Sequence, residues 1–192
     1  MKKMMITAIL YTLITAVLLG VVYPLAVTGL AHAFFAKQAE GSLIKRDGVL
    51  VGSHLIGQTF SGPGYFWSRP SAAGTGYDAT NSGGSNYAPT NSALATRVTA
   101  TVQTLNPKGT NSAVPIDLAT ASASGLDPDI SPAAAFYQVA RVAAERHVSE
   151  DALRSLVASH VTPRQFGLLG EPRVNVLELN LALDKMAPAA AK

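Results

Sequence analysis

No cysteine occurs among the 192 residues. Disulfides, thiolate metal sites and a cysteine nucleophile are therefore excluded. Charge is scarce as well: Asp, Glu, Lys and Arg make up 14% of the chain, against roughly 25% in ordinary soluble domains. The 15 Lys and Arg outnumber the 12 Asp and Glu, but no basic cluster with interleaved aromatics appears. Nucleic acid is thus not an expected partner. The four histidines, His32, His54, His147 and His160, share no i, i+3 or i+4 spacing, so no metal-ligand pair is expected on a helix face. There is no G-x-S-x-G elbow, no P-loop, and no G-x-G-x-x-G joining a strand to a helix. Asp127-Pro128-Asp129 has too few carboxylates for a calcium loop and reads as the turn before a helix. No catalytic residue, metal ligand or stably bound cofactor is assigned.

What the chain has is an apolar front. Lys2 and Lys3 are followed by residues 4–36 without Asp, Glu, Lys or Arg, well beyond the ~20 residues that cross a hydrocarbon core. Backbone groups in lipid must be satisfied internally, so the segment is expected to be helical. Tyr23 suits the far interface, and Pro24 is expected to kink the helix or mark its exit. Ala31-His32-Ala33 fits an A-x-A cleavage pattern, but the run exceeds a 7–15-residue signal-peptide core. The reading is an uncleaved anchor over 1–36. The flanking lysines place the N-terminus in the cytoplasm and residues 37–192 outside. Thr12, Thr15, Ala16 and Gly20 make a small-residue face suited to helix–helix contact.

Residues 37–192 read as one α+β domain of short strands and three to four helices. SLIKRDGVLVG suggests a hairpin turning at Asp47-Gly48. Asn91 caps a predicted helix to about Leu105, with Leu94, Val98, Val102 and Leu105 as its stripe and Asn106-Pro107 as its end. AVPIDLAT suggests a short strand. Ser131-Pro132 opens the clearest helix, with Asp127 and Asp129 near its positive end and Ala135, Val139, Val142 and Ala143 inward. Ser149 caps another, with Leu153, Leu156 and Val157 inward. Residues 174–185 fit either element: alternating leucines suggest a strand, whereas Asn175 as cap and the Leu/Ala content favour a helix. The tail from Ala187 is expected to fray.

Between these elements, residues 57–93 are rich in Gly, Pro, Ser and Asn, with Phe60, Tyr65, Phe66, Trp67, Tyr77 and Tyr87 among them. Such aromatics staple an ordered loop to a core, which a linker does not need. SGGS, Ser82–Ser85, is the only glycine-rich candidate for an anion nest. No Lys or Arg lies between Arg69 and Arg97 to neutralise a phosphate there. The stretch TNSGGSNYAPTNSA is therefore expected to be an ordered polar recognition loop, with Asn86 hydrogen-bonding nearby backbone and Arg69 tied to Asp78 or a carbonyl.

LIGQTF, YFWSRPSAA, YDATNSGGSNYAPTN, PIDLATASASGLDPDISPAAAFYQVARVA and LGEPRVNVLELNLALD, with the anchor, cover nearly the whole chain. Together they resemble the KdpC family, the C subunit of the bacterial potassium-transporting P-type ATPase. The resemblance implies an accessory, non-catalytic, single-pass inner-membrane subunit with a periplasmic domain. Its implied partners are a channel-like potassium-translocating subunit, a P-type ATPase subunit, a small single-helix subunit and membrane lipid. ATP and potassium are then handled by the complex. The resemblance also implies a catalytic chaperone that raises the ATP affinity of the pump subunit, with Ser82, Gly83, Gly84 and Ser85 as nucleotide candidates. A periplasmic loop cannot reach a cytoplasmic nucleotide, so a cap at the external potassium entrance, or another periplasmic binding module, stands as the alternative. Gly20, Arg69 and Asn86 are the interface candidates. An alkaline phosphatase fused after Lys192 should be active in the periplasm, with Met1 or its immediate successor retained; a mature chain starting at Phe34 would show cleavage after Ala33.

Overall fold

A computed structural model of the chain describes residues 1–107, 109 and 113–187. Beyond Ala187, the expected frayed tail lies outside the described residues. The chain divides into two compact units, Met1–Val51 and Gly52–Lys192.

The first unit is dominated by one helical run, Lys2–Ala39, long and apolar enough to cross a membrane. Its 38 residues exceed the ~20 that cross a hydrocarbon core. It comprises α1 (Lys2–Val17), a π-helical turn (Leu18–Val22) and α2 (Tyr23–Ala39). The backbone holds helical angles through Val22 and Tyr23, so the kink expected at Pro24 is absent and the helix continues past it. Proline lacks an N–H, and in an α-helix its ring presses on the carbonyl four residues back, here that of Gly20. The wider π turn over Leu18–Val22 accommodates it, and the helix runs on. The backbone departs from helical angles later, at Phe35. Beyond the helix, β1 (Leu43–Arg46) and β2 (Val49–Ser53) form the expected hairpin, with Asp47 and Gly48 both at positive φ.

In the second unit, α3 (Ser92–Leu105) begins at Asn91, whose Oδ1 accepts the Ala93 amide at 2.8 Å. The segment expected to be a strand around Pro115 is instead a single helical turn, α4 (Ile116–Ala119). The Pro115 ring presets the entry angle, and the turn buries Leu118 and Ala119. α5 (Pro132–Arg146) is capped by Ser131, whose Oγ accepts the Ala134 amide at 3.0 Å. The carboxylate at its start is Asp117, which accepts the Ser131 amide at 2.6 Å. Asp127 and Asp129 go elsewhere, each to an arginine. α6 (Glu150–Ser159) is capped by Ser149.

The ambiguous segment holds both elements. β5 (Arg173–Asn175) is the centre of a three-stranded antiparallel sheet between β3 (Asp129–Ile130) and β4 (Val161–Thr162). Asn175 then caps α7 (Val176–Met186), accepting the Glu178 amide at 3.1 Å. The domain thus has four helices of two turns or more among the described residues, plus the α4 turn. Its core is built from Phe66, Val139, Val142, Leu153, Val157, Val174, Leu179 and Leu183, all essentially without solvent exposure.

Helix and strand readings of residues 176–186 differ in which leucines are inside. The helix buries Leu179 and Leu183 and leaves Leu181 half-buried. Leu183→Ala should cost about 2–5 kcal/mol, and Leu181→Ala clearly less. Both are readable by denaturant titration on the sole tryptophan, Trp67. Equal costs would favour a strand.

Candidate functional site: the clamped polar loop

Residues 57–91 contain no helix and no paired strand, so their backbone must find partners elsewhere. Two buried side-chain amides supply them. Asn180 of α7 accepts the Phe66 amide through Oδ1 and donates to the Phe66 carbonyl through Nδ2, both at 2.9 Å. Gln138 of α5 accepts the Trp67 amide at 2.8 Å and donates to the Trp67 carbonyl at 3.1 Å. Each amide satisfies both backbone groups of one residue, as a sheet neighbour would. Phe66 is thereby inserted wholly into the core.

Two arginines close over the neighbouring rings. Arg141 lies 3.8 Å from the Trp67 ring centre and donates to the carbonyls of Pro63 and Tyr65 and to Gln138 Oε1. Burial lowers its pKa to about 10, with Glu145 opposing. Arg146 lies 4.5 Å from the Tyr65 ring centre, donates to Gly64 and Ala187 carbonyls, and pairs with Asp184 at 2.9 Å.

The next stretch folds onto residues 121–127. Arg69 pairs with Asp127 at 2.8 Å and reaches the Ala121 carbonyl. Tyr77 donates its hydroxyl to the Arg69 carbonyl at 2.8 Å, and burial raises its pKa. Ser71 donates to the Gly125 carbonyl at 2.6 Å and accepts the amides of Ala73 and Tyr77. Gly125 sits at φ +68, and a Cβ there would lie 2.7 Å from both Ala73 N and Gly83 O. Only glycine allows this turn and this approach. The Ser82 hydroxyl and the Gly83 amide both donate to the Ser124 carbonyl, and Gly84 lies against Ala123.

The expected site residues fall as follows. Arg69 is tied to Asp127 and a carbonyl, not to Asp78; Asp78 accepts both the amide and hydroxyl of Thr80, which hold its carboxyl below the usual range. Asn86 is exposed with φ 51, so it supplies tolerance of left-handed backbone rather than a buried hydrogen bond. Ser85 accepts from Arg97 at 3.2 Å, and Arg97 also lies over the Tyr87 ring. A cation remote in sequence therefore adjoins SGGS after all. Gly20 lies in the π turn, with nothing within 4 Å of where a Cβ would sit. Tyr65, Trp67 and Tyr77 are half-buried and bound internally, as staples of an ordered loop should be.

Sequence reasoning missed Gln138, Asn180, Arg141 and Arg146. A signal existed: Gln138 falls within the inward face Ala135-Val139-Val142, and Asn180 beside Leu179. A polar residue in an apolar stripe must find a partner. Asp117, Asp127, Asp129 and Glu171 line one cavity with Arg69 and Arg173. Burial raises the Asp129 carboxyl, with Arg173 opposing. Among the described residues no group of three His, Cys, Asp or Glu has metal-holding geometry.

Asn180→Leu leaves two buried backbone groups unpaired, and the chain should lose on the order of 2–6 kcal/mol of stability, at 1–3 for each group. Gly125→Ala should cost at least about 1–2 kcal/mol for left-handed backbone alone, plus the clash with Ala73 and Gly83. Denaturant unfolding monitored at Trp67 measures both.

Residues 5–185 match the family model described as KdpC, K+-transporting ATPase, c chain. Relatives named potassium-transporting ATPase KdpC subunit match almost end to end. The Koribacter versatilis protein is 58% identical over 188 residues, covering 98% of this chain and 97% of the relative. The Acidobacterium capsulatum protein is 62% identical over 180 residues, covering 94% and 97%. The Methylobacterium nodulans protein is 50% identical over 199 residues, covering 97% of each. With this match over nearly its whole length, the chain belongs to the KdpC family.

Proposed function

We propose that the chain is an accessory, non-catalytic subunit of a potassium-transporting ATPase, held in the inner membrane by residues 2–39 with its domain on the periplasmic side. Family membership carries the reading. The long apolar helix supports the membrane part, and Lys2–Lys3 support the orientation. The partners follow from the same reading: a potassium-translocating subunit, the P-type ATPase subunit and a small single-helix subunit.

The chaperone effect on ATP affinity belongs to this reading as well, exerted through protein contacts and not through bound nucleotide. The Gly83 amide is already given to Ser124, which removes one donor that a phosphate nest would need. The same observation favours a second reading, a cap at the external potassium entrance without nucleotide contact.

Affinity-tagged full-length chain should recover the partner subunits from detergent. Gly20→Leu meets no obstacle within the chain's own structure, so a loss of recovery, with membrane insertion intact, would report contact with a partner helix. The purified full-length chain should show no saturable ATP binding. Saturable binding abolished by Gly84→Val would restore the phosphate cradle, and failure of the parent chain to recover any partner would refute the subunit reading.

A further inference from the structure

Three large, strongly exposed apolar side chains of the second unit lie close in sequence in the connection from β4 to β5. Phe166 is 94% exposed, Leu168 80% and Leu169 60%. Among the described residues none covers them, and apolar surface left in water marks a contact site.

The turn that carries them is built, not loose. Gln165 and Leu169 form an antiparallel bridge, with the Gln165 amide donating to the Leu169 carbonyl at 2.9 Å and the reverse bond at 2.9 Å. Arg164 and Glu171 close its base with a two-pronged ion pair at 2.6 and 2.7 Å. Phe166 itself holds φ +53, a conformation a bulky residue rarely adopts. Such strain persists where the surroundings impose it, and it concentrates at functional positions.

The surrounding charge decides between a lipid and a protein occupant. A loop that enters an anionic bilayer surface needs unpaired cations beside its apolar tip. Here the neighbouring arginines are neutralised: Arg164 by Glu171, Arg173 by Asp129 at 3.0 Å, and Arg69 by Asp127. Asp117 adds a further carboxylate to the cavity that Glu171 lines. That is a poor surface for anionic headgroups and a good one for a protein recess with an apolar floor and a polar rim.

We propose that Phe166, Leu168 and Leu169 form a preformed apolar plug that seats in a nonpolar recess on the external face of a partner subunit. The inference rests on the subunit reading above. Three side chains cover less than the roughly 800 Å² per side of a stable interface, so the plug is the anchor point of a wider contact. An aromatic or aliphatic side chain seated in a partner's pocket is the usual form of such an anchor.

The test uses the full-length tagged chain expressed with its partner subunits. Phe166→Ser with Leu168→Ser should lower partner recovery by about tenfold or more, while denaturant unfolding at Trp67 stays as in the parent. A photoreactive phenylalanine derivative at position 166 should cross-link to one partner subunit, and the same group at Asp151, exposed on α6, should not. Undiminished recovery in the double variant, or cross-links from position 166 to lipid alone, would overturn the plug while leaving the subunit reading intact. If the unmodified chain recovers no partner, both fall together. If the double variant is destabilised, the cross-link in the otherwise unmodified chain decides alone.

Discussion

Asn180 and Gln138 stand where a β-strand would otherwise be required. Each takes one residue of an irregular segment and satisfies its N–H and C=O together, Phe66 by Asn180 and Trp67 by Gln138. A loop cannot enter a core with its backbone unpaired, because each buried orphan costs about 1–3 kcal/mol. With both residues paired, Phe66 fills the centre of the domain and Trp67 forms a floor for Arg141. The rest of the polar loop depends on that anchorage. Arg69 then meets Asp127, Ser71 meets Gly125, and Gly83 meets Ser124.

The scarcity of charge is part of the same design. Arg69, Arg141 and Arg146 are spent inside the domain, on carbonyls, carboxylates and aromatic faces. Guanidinium suits this work, since its planar fork can stack and donate at once. The polar loop therefore offers partners a fixed surface of hydroxyls and amides with its arginines already engaged. On the proposed reading, that surface meets another subunit, with binding aided by preorganisation, because little loop entropy remains to be lost on contact.

Where local chemistry decides, the sequence was readable. Asn91, Ser131, Ser149 and Asn175 each cap the helix their position implies, because a side-chain oxygen before an apolar stripe has one obvious use. The long apolar helix and the Asp47-Gly48 hairpin followed for the same reason. Pro115 misled: AVPIDLAT has strand composition, yet the burial available to Leu118 and Ala119 selects a helical turn. Residues 174–185 looked ambiguous because the strand and the helix meet at Asn175. The order of the polar loop was legible from its aromatics, but its clamps were not. Gln138 and Asn180 lie more than 70 residues beyond the backbone they hold, and no local pattern records such a pairing. Arg97 beside Ser85 was missed on the same ground, since linear spacing hid a cation that folding brings near.

Amide hydrogen exchange on the full-length chain in detergent tests the clamp most directly. The Phe66 and Trp67 amides should be protected to within about tenfold of the Val139 and Leu179 amides in α5 and α7, because they open only when the core does. Exchange of Phe66 and Trp67 at the rate of an open loop, with α5 and α7 still protected, would show that the polar loop is not anchored by Asn180 and Gln138.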